Sequence, residues 1–225
     1  MTGMGRPRLT EWRKAETRLE IAREAVRLFT AKGVSATSAE EIAAAAGISP
    51  RTLWRYFPSK ESCVLPLLTI GTDATARSLR HWPAEGGVTS LVDELERSGA
   101  ELLARLPMLL DLVRLTRTEP ALRRVWIQAH SDAEPVFAAE LARRAGAPDD
   151  DLAIRMQAGM INLALRVAME HHASRGDSGD VAFATLRAAF LACGARELDS
   201  AFDLGVPDAS SPPATITRCC CHCST

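Results

Sequence analysis

The chain has 225 residues, 47 % of them hydrophobic and 24 % charged, with a formal net charge of -1. This is the balance of a folded globular protein, and it excludes collagen-like and wholly disordered chains. The near-neutral total conceals an asymmetry. Residues 1–60 hold 11 Lys and Arg against 6 Asp and Glu, a balance of +5, which leaves -6 on the remainder. A polyanion would therefore be met at the N-terminal end. No window approaches the roughly 18 apolar residues of a membrane span, and Met1 to Leu9 lacks the apolar centre of a signal peptide. A cytoplasmic protein without a membrane partner is expected. Cys63 and Cys193 lie singly in helical patterns and read as reduced thiols.

Almost every periodic stretch repeats at about 3.6 residues and none alternates as a half-buried strand would, so the fold is expected to be all-α. In the first helix Ile21, Ala25, Leu28 and Phe29 share one stripe, and Gly33 ends it. Arg6-Pro7-Arg8 lies ahead of this helix, as a basic arm suited to a minor groove or as an unstructured basic start. Ser38 to Glu41 has the S-x-x-E form of a capping box and opens a short second helix that runs to the Ala46-Gly47 turn. Ser49 as N-cap and Pro50 at the first helical position open a third helix. Pro58-Ser59-Lys60 ends it, and a fourth is predicted from Lys60 to about Leu79, kinked or restarted at Pro66. Further helices are expected over Thr89 to Leu106, Pro107 to Thr118, Pro120 to His130, Glu134 to Ala145, Asp149 to Ser174 and Asp180 to Leu204. From Gly205 onward Pro, Ser and Thr dominate, the composition of a disordered tail. The implied domains are 1–60, 61–204 and the tail 205–225.

Two short helices around a turn containing Gly47, the second opened by a cap and a proline, have the form of a helix-turn-helix. Within Pro50 to Phe57, Leu53 and Phe57 share an inward face while Arg51, Thr52, Trp54, Arg55 and Tyr56 mostly point elsewhere. Such residues suit a DNA groove: Arg offers a fork to guanine, Thr a methyl contact to thymine, and Tyr or Trp a surface for sugar and phosphate. The competing reading makes Arg51 and Arg55 solvated charges and Trp54 and Tyr56 core.

The span Thr17 to Val64, most closely from Ala36 to Glu61, resembles the DNA-binding domain of the TetR family of bacterial transcriptional regulators. The features that carry the resemblance are Leu28-Phe29, Gly33, Ile42-Ala43, Gly47, Arg55-Tyr56-Phe57 and Ser59-Lys60-Glu61; Trp54 stands where the family often has Tyr or Phe. The resemblance implies base or near-base contacts by Arg51, Thr52, Trp54, Arg55 and Tyr56, and phosphate contacts by Ser38, Ser49, Tyr56 and Lys60. It further implies a homodimer on a double-stranded, palindromic operator, usually a repressor released by a small, largely apolar effector.

In the penultimate helix Met156, Gly159, Met160, Leu163 and Val167 form one stripe, while Ile154, Ile161 and Leu165 lie outside it, so burial on both sides is expected. The last helix offers Phe183, Leu186, Ala189, Phe190 and Cys193. The resemblance makes these two helices the subunit interface. Met108, Leu112, Trp126, His130, Phe137, Met160 and Asn162 are candidates for lining an effector pocket between helices, with plain core residues the alternative for each. Glu119 to Arg123 resembles regulatory domains of the mycofactocin-linked branch, which implies an acyl-CoA-like effector whose phosphates meet Arg123 or Arg124.

Two rival functions differ in class. Cys219, Cys220, Cys221, His222 and Cys223 suggest a metal or redox sensor, but their spacing is poor: structural zinc sites usually use C-x₂₋₄-C pairs, whereas adjacent cysteines cannot all turn toward one ion without strain. An enzyme would need a nucleophile elbow, H-E-x-x-H, P-loop or dinucleotide fingerprint, and none is present. No enzyme activity, cofactor or metal site is expected.

Overall fold

In the computed structural model, residues 6–83, 86–105 and 107–175 are described. Helix α1 spans Arg6–Lys32, α2 Ala39–Ala45, α3 Pro50–Tyr56, α4 Leu65–His81, α5 Val88–Arg105, α6 Met108–Thr118, α7 Pro120–Ala145 and α8 Leu152–Arg175, with a 3-10 turn over Glu61–Val64 before α4. No strand occurs among the described residues.

The N-terminal head follows from local chemistry. Ile21, Ala22, Ala25, Val26 and Phe29 recur at helical spacing and are buried, so one stripe of α1 faces inward. Gly33 ends the helix at φ 90°, a backbone region that strains any residue with a Cβ, and donates its N–H to Phe29 O at 2.9 Å. Ile42, Leu53 and Phe57 close over that stripe. Burying each such side chain is worth about 1.5–3 kcal/mol.

Arg6-Pro7-Arg8 does not precede α1 but forms its first turn. A proline is tolerated there because its missing N–H would have no helical partner anyway. Pro66 likewise lies in the first turn of α4, directly after the 3-10 turn, so the fourth segment restarts there rather than kinking in its interior.

The larger difference concerns α7. Two helices were expected on either side of Ser131 to Ala133, yet one 26-residue helix runs through Pro135. An interior proline costs about 3 kcal/mol. That cost is offset by the apolar side chains that continuity keeps buried beyond it, Phe137 and Leu141 among them.

The buried residues fall into two clusters that do not divide at residue 60. One joins α1 to α3 with the start of α4, parts of α6 and α7, and Ala173 of α8. The other joins the end of α4, α5, and the remaining parts of α7 and α8. Helix α4 belongs to both, packing chiefly on α7.

Ile154, Ala158 and Ile161 of α8 are buried against the body, but Leu152, Met156, Leu163 and Val167 are exposed on the single chain. The helix is thus covered on one side only among the described residues. The predicted last helix and the Cys-rich tail, with Phe183, Leu186, Ala189, Phe190, Cys193, Cys219 to Cys221, His222 and Cys223, lie outside the described residues.

Candidate nucleic-acid interface and effector cavity

The capping box on α2 is complete. Glu41 N–H donates to Ser38 Oγ at 3.1 Å and Ser38 N–H to Glu41 Oε2 at 2.8 Å, while Lys32 reaches the other carboxylate oxygen from the end of α1. The Lys32 hydrogen bond, then the Ser38 amide, hold the Glu41 carboxyl down at about 2. Ser38 Oγ accepts in this bond and keeps its own proton for another acceptor.

The turn is made by Gly47 at φ 66°, with Ile48 N–H donating to Ala43 O at 2.9 Å. Ser49 Oγ then caps α3 by accepting from Thr52 N–H at 3.2 Å, and the two hydroxyls share a bond at 2.9 Å. The turn is therefore held by backbone bonds where α2 ends and by the Ser49 side chain where α3 begins.

On α3 the partition of residues is sharp. Leu53 is fully buried and Phe57 2 % exposed, whereas Trp54 is 47 % exposed and Arg51 and Arg55 are exposed beside it. Tyr56 is half-buried, its ring 6.4 Å from that of Phe57, and the Arg55 guanidinium lies 5.4 Å from the Tyr56 centroid. That cation–π contact orients the guanidinium along the exposed face. Arg51, Thr52, Trp54, Arg55 and Tyr56 come together on one short helix, with Ser49 at its start and Ser38 capping α2.

Lys60 is placed differently from its neighbours in the motif. Its Nζ donates to Val34 O at 2.8 Å and Thr37 O at 2.7 Å, pinning the end of α3 to the loop between α1 and α2. Two of the three ammonium protons are thereby used inside the head. Cys63 is buried in the same core, and burial pushes its thiol up to about 12, so it is not a reactive thiolate.

Between α4, α5, α7 and α8 lies an apolar cleft that is partly open to solvent, with an enclosed volume of about 70 Å³. Trp126 and His130 line it, and Asn162 holds His130 from behind, with Nδ1 of the ring 2.6 Å from Asn162 Oδ1 and Asn162 Nδ2–H donating to His130 O at 2.8 Å. The other candidates go elsewhere. Leu112 and Phe137 are buried in the two cores, and Met108 and Met160 pack against them. Sequence reasoning missed Leu68, Gly71, Thr72 and Thr75 of α4 and Leu95, Ser98, Gly99 and Leu102 of α5, which form the rest of the wall with Leu109, Leu165 and Met169. A signal was present: small residues on two successive helices leave a gap where they face one another.

Beside the cavity, Glu170 of α8 accepts from Trp126 Nε1–H at 2.8 Å, Arg123 at 2.5 Å and Arg166 at 3.2 Å. Burial pushes its carboxyl up, but these hydrogen bonds and the Arg123 charge outweigh that and hold it below the usual carboxylate range. Arg123 is thus engaged within the fold, while Arg124 is exposed. No helix among the described residues is long and apolar enough to cross a membrane.

An N-terminal helix-turn-helix with an exposed aromatic and cationic recognition face, carried on an all-helical body, defines a DNA-binding regulatory protein. Residues 21–67 match the model of a family described as bacterial regulatory proteins, tetR family. Over 184 residues, 76 % of this chain and 80 % of the other, the chain is 28 % identical to the HTH-type transcriptional regulator TcmR of Streptomyces glaucescens. A tetR-family transcriptional regulator from Streptomyces coelicolor superposes with a TM-score of 0.52 at 16 % identity, covering 84 % of this chain and 83 % of that one. A TetR transcriptional regulator from Rhodococcus sp. RHA1 gives 0.51 at 18 % identity, covering 87 % and 99 %. These two structures show a shared fold. Residues 21–67 thus carry the match to the tetR family of bacterial regulatory proteins, and the chain as a whole is similar to a transcriptional regulator.

Proposed function

We propose that the protein is a dimeric, effector-released repressor rather than an enzyme, with residues 1–60 reading a palindromic operator and residues 61–204 binding effector and partner subunit. The observation that carries this reading is the partition on α3: Trp54, Arg51 and Arg55 stand in solvent while Leu53 and Phe57 anchor the same helix. A free-standing surface helix gains nothing from exposing a Trp between two arginines, whereas a major groove offers that set guanine edges, thymine methyls and sugar faces. Arg51, Thr52, Trp54, Arg55 and Tyr56 take the base and near-base roles, and Ser38, Ser49 and Tyr56 the phosphates. Lys60 serves chiefly as an internal brace, with one N–H left for the DNA backbone.

One recognition helix of seven residues covers too little DNA for strong selectivity, so two copies must act together on half-sites one helical turn apart. The exposed stripe Leu152, Met156, Leu163 and Val167 on α8 supplies an apolar surface suited to the second copy. Coupling runs through α4, which walls the cavity with Leu68, Gly71, Thr72 and Thr75 and follows the 3-10 turn directly out of the head. A molecule that fits the cavity better in one tilt of α4 shifts the spacing of the two recognition helices by that difference in affinity. An acyl-CoA effector would have to place its phosphates at Arg124, outside the cavity, since Arg123 is held by Glu170.

Selection of bound sequences from random duplex DNA tests the reading. Enrichment of inverted half-sites is expected; recovery of no duplex preference, or of sites without two-fold symmetry, refutes it.

A further inference from the structure

The cavity wall is almost wholly apolar, and the few polar side chains among its lining residues have their protons already engaged within the fold. Thr72 Oγ1–H donates to Thr69 O at 2.9 Å, Thr75 Oγ1–H to Gly71 O at 3.0 Å, and Ser98 Oγ–H to Leu95 O at 3.4 Å. The indole N–H of Trp126 is taken by Glu170. Among the described residues no charged side chain lines the wall.

His130 completes the pattern. Because Asn162 Nδ2–H donates to the His130 carbonyl, the amide is oriented with Oδ1 toward Nδ1, and an acceptor at 2.6 Å requires Nδ1 to carry a proton. The ring is 5 % exposed, and its burial, the largest influence on it, pushes it toward the neutral form. Nε2 is then a bare lone pair, and it is buried without a hydrogen-bond partner. Trp126 packs edge-on to the ring at 4.2 Å but has no proton to spare for it.

We infer that the cavity selects an uncharged, largely apolar molecule bearing a hydroxyl group, which donates its hydrogen bond to His130 Nε2. The inference rests on reading the cavity as the effector site. Among the described lining residues a carboxylate or phosphate would find no cation, and a ketone, ester or ether no free donor, each at the cost of an unpaired polar group. A hydroxyl instead satisfies His130 Nε2, a buried acceptor left open beside the cavity, and its hydrocarbon body is taken up by Leu68, Leu95, Leu102 and Leu109.

The test uses the full chain and three probes of like shape: 1-naphthol, 1-methoxynaphthalene and 1-naphthoate, measured by titration calorimetry. The naphthol is expected to bind about tenfold tighter than its methyl ether, with the carboxylate weakest, and the preference is expected to vanish in His130→Phe. Nitrogen NMR of the unaltered protein gives a readout independent of that variant: Nε2 unprotonated when free, shifting on addition of naphthol. Equal affinity for naphthol and ether, tightest binding of the carboxylate, or a protonated Nε2 in the free protein overturns the hydroxyl inference and leaves the cavity as effector site standing. Failure of all three probes to bind, or binding unaffected by the cavity-filling Leu102→Trp, overturns the effector-site reading itself.

Discussion

Replacing Lys60 by Met keeps most of the side-chain stem and removes the ammonium that bridges Val34 O and Thr37 O. Hydrogen bonds from a charged donor are each worth about 1.5–3 kcal/mol net, and two that share one donor do not add fully. A loss of about 2–4 kcal/mol is therefore expected in the head, against less than about 0.5 kcal/mol for a solvent-facing lysine. Urea unfolding should show a lower midpoint with an unchanged slope, and amide hydrogen exchange should accelerate first in α2 and α3, whose approach to α1 the lysine fixes. Under the alternative, in which Lys60 acts mainly on DNA, stability stays within about 0.5 kcal/mol of the parent while the salt dependence of operator affinity falls by about one unit. That second pattern would refute the brace. It would also show that the ammonium leaves its carbonyls on binding.

Arg55→Ala should weaken operator affinity by about 1–3 kcal/mol and relax selectivity at one position of each half-site, measured by competition among single-base variants; uniform weakening across all variants would assign Arg55 to phosphate instead. Pro66→Ala allows the 3-10 turn and α4 to merge into one helix, so effector-driven release from DNA should change more than effector-free affinity; equal change in both would separate Pro66 from coupling. Glu41 is held at about 2, below its value in an unfolded chain, so its capping and Lys32 contacts stabilise the head fully above about pH 4.5 and are lost as pH falls through about 2. Glu41→Gln should flatten the acid limb of the stability curve in that window, and high salt should do so partly, since the pair is exposed.

The parts of the head that were legible in the sequence are those encoded within a few residues. The Ser38–Glu41 box, the Ser49-Pro50 start and the turns at Gly33 and Gly47 each satisfy backbone groups three or four positions away, so their chemistry is written consecutively. The internal hydrogen bonds of Lys60 were not legible because its partners lie 23 and 26 residues upstream, a distance over which a motif carries no geometry. The continuity of α7 through Pro135 was hidden for a related reason: the proline is a local signal, while the burial that overrides it comes from α4 and α8. His130 and Asn162 were both singled out, yet as separate candidates. Their pairing, which sets the tautomer and with it the character of the cavity, bridges 32 residues. The α4 and α5 walls were missed because a cavity is defined by volume that side chains fail to fill, and no single residue announces it.

The thiol of Cys63, sealed in the head and held at about 12, has a practical consequence. At neutral pH its thiolate is too scarce, and too shielded, to meet an alkylating reagent while the head is closed. In a variant whose other cysteines are replaced, the rate of maleimide addition would count openings of the DNA-reading head, and operator DNA would slow that clock by the energy it lends to the closed form.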